Sequence, residues 1–391
     1  MRECVIIDGV RSPNSRAHNE KGWFRSLRPD EVLTKVYDGL FARNPKVKPE
    51  DIESVFVGCA NITGMQNDIG RLAWLAGGFP ESVPTNTLTM QCPSGMAATQ
   101  HAARAIMCGE GDTYIAAGIE DMQKVFMAMH MDFSPRLAER YNILDLPMGN
   151  TAEKVAEVYK VNRTDMETMA FWSNKKADAA TKAGKFKGEI IPMEGLKDDG
   201  TPFMVETDQW IRGDVSMESM ATMKTPFKPD GVVTAATSSP LTIGGAAILL
   251  MERSKADKLG LSYSIKYEAG ALAGCDPTLM GIGPVPAVQR LLARTGKKVS
   301  DIAVWEFNEA FASQALACVR ELGIAQNAPF DNVNIWGGAL ALGHPLGQSG
   351  CRILVTLHSI MKNELKDAKY GVASLCGAFG NAGATMLSRV K

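Results

Sequence analysis

DIESVFVGCA at residues 51–60 and DIAVWEFNEA at residues 301–310 align residue for residue. Each opens on Asp-Ile, runs through Val- or Trp-rich apolar positions in the manner of a strand, and closes before an alanine. A second pair keeps the same order. SGMAATQHAARAIM followed by TYIAAG lies in the first copy, and SGCRILVTLHSIM followed by YGVASLCG in the second. Two matches in one order point to an internal duplication. Further strand-like runs (CVIIDGV, SIKYEAGAL, NVNIWGG) alternate with helix-like ones (EVLTKVYDGLFA, RLAWLAGG, PAVQRLLARTG) at both ends of the chain. That alternation predicts α/β layers with largely buried strands.

Between the copies the character changes. Residues 121–244 hold the Met-rich run DMQKVFMAMHMDF, the charged helical stretch TAEKVAEVYKVNRTDMETMAFWSNKKADAATKAGKF and the turn-rich EGLKDDGTPF. This is either a solvated insertion or a domain covering a site, since insertions on α/β scaffolds carry binding residues. A methionine run is more often core than ligand surface, although flexible Met side chains also suit an adaptable apolar pocket. The expected organisation is a first half over 1–120, completed by about 245–265, an inserted domain over 121–244, and a second half over 266–391.

Composition bounds the function. The 391 residues carry 42 basic and 43 acidic side chains without a basic block, so no nucleic-acid surface is expected. The longest apolar stretch, LTIGGAAILLM, is far short of the roughly 20 residues that span a bilayer. The N-terminus, MRECVIIDGVRSP, lacks the pattern of a signal peptide. Eight cysteines show no CxxC pair, which predicts reduced thiols, a cytoplasmic setting and no metal site.

Four segments could carry chemistry. In QCPSGM, Cys92 stands at the entrance of a helix beginning near Pro93. Cysteine usually packs, yet a helix N-terminus lowers a thiol pKa and favours the reactive thiolate. In GGALALGHPLGQSG, His344 lies between Gly343 and Pro345, a structural histidine or a base. In SLCGAFGNAG, Cys376 runs from a strand into a glycine-rich turn whose free amides could hold an oxyanion, or simply make a tight turn. In FNEAFA, Asn308 follows a buried strand, placed to hold water or to cap the next helix.

Together, in this order, these segments resemble the thiolase family. NEAFA and GGALALGHPLGQSG match two of its motifs closely, QCPSGM resembles its nucleophile loop and SLCGAFGNAG its last motif. Weaker matches at MGNTAEKVA, VVTAATSSP and MGIGPVPA extend the resemblance over nearly the whole chain. It implies a duplicated αβαβα core of five layers with an inserted loop domain. It implies thiolytic cleavage of a 3-ketoacyl-CoA by coenzyme A, or the reverse Claisen condensation, as in fatty-acid β-oxidation. Cys92 would be the nucleophile, activated by His344. Cys376 would be the acid/base partner and Asn308 would hold a water. The backbone amides of Cys92 and Ala378 would bind the oxyanion. Arg212, Ser219 and Ser239 sit at its CoA-contact positions, and Met148, Met280 and Phe311 would line the acyl pocket. Coenzyme A would be a substrate rather than a resident cofactor. The resemblance also implies a homodimer or homotetramer, with a β-oxidation partner subunit as a further option.

The sequence departs from the family pattern in places. Pro93 and Ala378 replace glycines, Ile243 replaces an aspartate, and Pro240 is uncommon there. Pro147 replaces the histidine of short-chain members, which speaks against the biosynthetic acetoacetyl-CoA type. These changes predict an acyl pocket of unusual shape. The alternatives are that biosynthetic type, a condensing ketoacyl synthase, and a non-catalytic or partner-dependent acyl-CoA-binding subunit. The intact Cys92, Asn308, His344 and Cys376 set argues against simple loss of catalysis.

Overall fold

The computed structural model describes residues 2–390. The first half contributes β1 (Cys4–Arg11), β2 (Ser15–Arg16), β3 (Ser54–Gly58), β4 (Thr85–Leu88) and β5 (Thr113–Asp121). The insertion holds a hairpin, β6 (Met193–Leu196) and β7 (Pro202–Val205). Then follow β8 (Thr242–Glu252), β9 (Ile265–Gly274), β10 (Val304–Phe307), β11 (Tyr370–Gly377) and β12 (Asn381–Arg389). The first half orders its strands β4-β3-β5-β8-β1, with β2 beside β8. The second orders them β10-β11-β12-β9. Among the described residues the two are joined where Val5 and Ile6 of β1 meet Lys266 and Ile265 of β9.

The LTIGGAAILLM run is an inner strand. All of β8 is buried, flanked by β1 and β5 and covered on both faces, which is why it reads as an unbroken apolar run.

The duplication is visible in the pairing. β3 runs parallel to β5, and β10 runs parallel to β11. β4 runs parallel to β3 on the far side, and Val333 makes the equivalent parallel bridge to Trp305 of β10. β8 is antiparallel to β5 as β12 is to β11. The helices Ser94–Cys108 and Leu346–Asn363, one from each copy, pack on each other between the two half-sheets. Pro29–Arg43 and Ile69–Ala76 cover the outer face of the first half, and Pro284–Thr295 with Ala312–Glu321 that of the second. Five layers result, α-β-α-β-α.

The central helices meet through glycines. A Cβ on Gly95 would lie 2.6 Å from the Gly347 carbonyl oxygen, and one on Gly350 only 2.4 Å from the Met96 nitrogen. Backbone-to-backbone approach brings the N-terminal ends of both helices to one place.

Much of the insertion is built into this scaffold. Helices Met148–Val158 and Arg163–Lys182 place Val155, Met166, Met169 and Ala170 in one apolar cluster with Trp305, Leu316 and Val319 of the second half. The β6–β7 hairpin buries Met193 and Val205 in the first-half core. The Met-rich run behaves differently from the commoner expectation: Phe126, Met127, Met129, Met131 and Phe133 are exposed. Among the described residues, no helix is long and apolar enough to cross a membrane.

Candidate active site

Cys92 stands two residues before the Ser94–Cys108 helix, at the C-terminal end of the parallel strands where α/β sites gather. Gln91, just before it, is held at φ 60°, a left-handed conformation unusual for a residue with a side chain. Two bonds fix this turn. The Met90 amide donates to Ser94 Oγ at 2.8 Å, and the Ser94 amide donates to the Gln91 carbonyl at 3.0 Å. Pro93 adopts helical angles and supplies no amide there. Its ring fills the space beside Gly377, where a Cβ would lie 2.4 Å from Pro93 Cδ. The departure at 93 is thus packed against an unsubstituted backbone.

The thiol does not behave as a helix terminus alone predicts. Burial pushes the Cys92 thiol up to about 12. The backbone amides of Ala378 and of Cys92 itself pull it down, and the Glu120 carboxylate adds to the rise. Desolvation outweighs the helix end, so the sulfur rests as a thiol and needs a base. The two amides that draw on this sulfur are those expected to bind an oxyanion.

Cys376 is the last residue but one of β11, paired to Ala382 of β12, and is wholly buried. Burial raises its thiol well above the ordinary range, and neighbouring Cys92 raises it further. Next to it, Ala378 leads into Phe379 at φ 62° and Gly380 at φ 84°, a tight turn. The ring of exposed Phe133 stands edge-on to Phe379, with centroids 5.9 Å apart.

His344 sits before the Leu346–Asn363 helix, held there by Gly343 at φ 89°. Its amide donates to Thr242 Oγ1 at 3.2 Å. Nδ1 lies 2.6 Å from Ser349 Oγ, whose single proton goes to the Pro345 carbonyl at 2.9 Å. Ser349 therefore accepts from Nδ1–H, which leaves Nε2 as the unprotonated nitrogen of the ring. Burial, aided by the Arg352 guanidinium, lowers His344 to about 3, so it stays neutral. Asn308 Nδ2 makes long contacts of 3.4 Å to the ring nitrogens. The Asn308 amide donates to the Ser374 carbonyl, two residues before Cys376. Its Oδ1 is buried without a partner in the fold. The cap alternative does not hold, because the Ala312–Glu321 helix is capped at Phe311 without a side-chain bond.

Cys376 lies beside Cys92 and Asn308 beside His344, the Asn308 backbone amide is tied to the Cys376 strand, and the close approach of Gly95 and Gly347 brings the Cys92 and His344 helix starts together. The remaining candidates are spread around them. Ser239 lies in a loop beside the NEAFA segment, its amide donating to the Ala310 carbonyl, and Ser238 makes an isolated antiparallel bridge to Phe311. Arg212 and Ser219 are exposed on the insertion, and the Ser219 hydroxyl donates to Ser216 within its own turn. Met280 and Phe311 share the apolar cluster of Cys376, with Met148 packed against it. Phe311 meets Phe227 at 6.0 Å. Ile243 points elsewhere: it is buried in the first-half core with Val32 and Val36. That departure concerns packing, not the shape of an acyl pocket. Ser349 and Thr242, which orient His344, carry no signal in a single sequence, because a buried hydroxyl reads like any other. Among the described residues no group of three or more His, Cys, Asp or Glu could hold a metal ion.

A buried thiol drawn on by two amides, with a second thiol and a neutral imidazole at hand, is the equipment of a cysteine-dependent acyl-transfer enzyme. Comparison with known proteins narrows the class. The family profile "Thiolase, N-terminal domain" matches residues 4–254, and "Thiolase, C-terminal domain" matches 261–389. A 3-ketoacyl-CoA thiolase of Shewanella frigidimarina is 42% identical over 392 residues, covering 100% of both chains. One of Marinomonas sp. is 41% identical over 390 residues, covering 99% of this chain and 98% of the relative. The crystal structure of the Bacillus anthracis acetyl-CoA acetyltransferase superposes with a TM-score of 0.88 at 31% identity, covering 100% of this chain and 99% of that one. The chain belongs to the thiolase family.

Proposed function

We propose that this chain is an acetyl-CoA C-acyltransferase that cleaves a 3-ketoacyl-CoA with coenzyme A, giving acetyl-CoA and a shortened acyl-CoA. The observation that carries the reading is the Cys92 thiol under the amides of Cys92 and Ala378, before a helix whose start packs on that of the helix led by His344, a histidine kept neutral by burial.

The chemistry follows from those resting states. His344 Nε2 takes the Cys92 proton, and the thiolate attacks the 3-keto carbon. The two amides receive the oxyanion, each donor worth about 3 kcal/mol of barrier. When the oxyanion collapses, the bond between C2 and C3 breaks, leaving an acyl-Cys92 thioester and an acetyl-CoA enolate. Protonated His344 and a water held by Asn308 stabilise the enolate oxygen. The Cys376 thiol protonates the enolate carbon, then takes the proton of incoming CoA. The CoA thiolate attacks the thioester carbonyl and releases acyl-CoA and the Cys92 thiolate, which takes back its proton from His344. Coenzyme A enters as a substrate; the exposed Arg212, with Ser219 and Ser239, would contact it, and Met148, Met280 and Phe311 would face the acyl chain. Pro147, at the entrance of the Met148–Val158 helix, favours chains longer than acetoacetyl. The unpaired, half-exposed edge of β4 supports a homodimer, and eight unpaired cysteines support a reducing, cytoplasmic setting. Incubation with CoA and a panel of 3-ketoacyl-CoA chain lengths, with products separated by chromatography, tests the reading. Equal formation of acetyl-CoA and shortened acyl-CoA supports it; no cleavage of any panel member refutes it.

A further inference from the structure

Among the buried carboxylates that the acyl-transfer reading leaves without a task, one lies against the loop after β3 and the helix start beyond His344. Glu120, near the end of β5, is wholly buried, and among the described residues it makes no ion pair within 4 Å. Its Oε2 accepts from the amides of Ala60 at 2.8 Å and Gly347 at 2.9 Å. Its Oε1 accepts from the Asn61 amide at 3.2 Å, Asn61 Nδ2 at 3.0 Å and Gln66 Nε2 at 2.8 Å. Uncompensated burial of a carboxylate is costly, and here N–H donors offset it, with the Cys59 thiol a further, longer contact to Oε1 at 3.9 Å. An apolar side chain could fill the space but would strand those donors.

The donors belong to two sides of the site. Ala60 and Asn61 follow β3, and that loop carries the nucleophile turn. The Cys59 amide donates to Leu88, Thr89 Oγ1 donates to the Ala60 carbonyl, and Ser94 Oγ lies 3.5 Å from the Cys59 carbonyl. Gly347, by contrast, is three residues beyond His344, in the first turn of the other central helix. The two backbones touch at this joint, where a Gly347 Cβ would lie 2.6 Å from Cys59 Cα. The duplication adds an independent observation. Gly58 pairs with Gly118 and Phe307 with Ser374, so aligning residue 60 with 310 places Gly377 at the position of Glu120. One copy carries a carboxylate at the joint and the other carries none.

We propose that Glu120 is a positioning residue for catalysis: by bridging the Ala60–Asn61 loop to the Gly347 amide, it sets the separation of nucleophile Cys92 from base His344. The proposal rests on the thiolysis reading. Glu120→Gln tests it, because an amide keeps the size but turns an N–H toward donors where an oxygen accepted. The parent chain and E120Q are compared for thermal midpoint, KM and kcat on a 3-ketoacyl-CoA. For a folded variant the expected result is kcat lower by about 100-fold with KM within about twofold, since displacement of reacting groups by ~1 Å costs that much. A kcat within about threefold of the parent overturns the proposal, as does a loss that only follows the folded fraction. A parent that does not cleave the substrate overturns both this proposal and the reading beneath it. If E120Q does not fold, Gln66→Met decides, removing one donor to the same carboxylate from outside the site. A kcat lower by about tenfold at unchanged KM is then expected, and an unchanged kcat overturns the proposal.

Discussion

Gly347→Ala introduces one methyl group at the joint between the start of the Leu346–Asn363 helix and the end of β3 with its following loop. Its Cβ would lie 2.6 Å from Cys59 Cα, 2.8 Å from the Ala60 nitrogen and 2.9 Å from the Gly58 oxygen. All three are backbone atoms at the end of a buried parallel strand, so no side chain can swing aside. Ordinary contact begins at 3.4 Å, and reaching it displaces the helix start by about 0.8 Å from the loop after β3. His344 rides on that helix start and Cys92 on the turn tied to that loop. A displacement near 1 Å costs about 100-fold in rate, so kcat is expected to fall about 50-fold. KM should change little, because Arg212, Ser219 and Ser239 lie on other segments. Steady-state thiolysis beside a thermal melt reads both effects, with about 1–3 kcal/mol of overpacking expected in stability. A folded G347A whose kcat stays within about threefold of the parent would refute the reasoning that this joint sets the geometry.

Two further perturbations address the histidines. Ser349→Ala leaves the buried Nδ1–H of His344 without an acceptor, a loss of about 1–3 kcal/mol, and favours the tautomer with its proton on Nε2. Single-turnover acylation should slow about 30-fold or more at unchanged substrate affinity, and an unaltered rate would contradict the assigned tautomer. His344 and His358 are both lowered by burial from 6.5 to about 3. A depressed histidine lends stability that is fully present above pH 6.5 and lost as the pH falls toward 3, because the unfolded chain binds the proton first. In His358→Gln, the slope of unfolding free energy against pH between 6 and 4 should fall by about 1.4 kcal/mol per unit, read from denaturant titrations. An unchanged slope would place His358 outside this account.

The fold was legible because a duplicated chain repeats its own pattern. DIESVFVGCA and DIAVWEFNEA are β3 and β10 with their following loops, and the matched helices are the two that pack at the centre. Cys92 and His344 were legible through the punctuation that places them, a proline-started helix and a Gly-His-Pro turn. The thiol's resting state was not. Sequence spacing reports a helix terminus, whereas the pKa is set first by burial and then by Ala378 and Glu120, groups far along the chain that only folding brings close. Glu120 and Ser349 escaped for the same reason: their partners are backbone groups and loops brought close only by folding. Ile243 misled in the opposite direction, since a departure from the family pattern near a binding loop proved to be a core residue of the first half.

The central claim is that Cys92 carries the acyl group. Mixing the chain with a 3-ketoacyl-CoA in the absence of free CoA, quenching in acid and mapping peptides by mass spectrometry tests it directly. The account expects one acyl group per chain, shorter than the substrate acyl by the two carbons lost as acetyl-CoA, on the QCPSGM peptide at Cys92. An acyl group found on Cys376 or another residue, or substrate cleavage with Cys92 replaced by alanine, would contradict it.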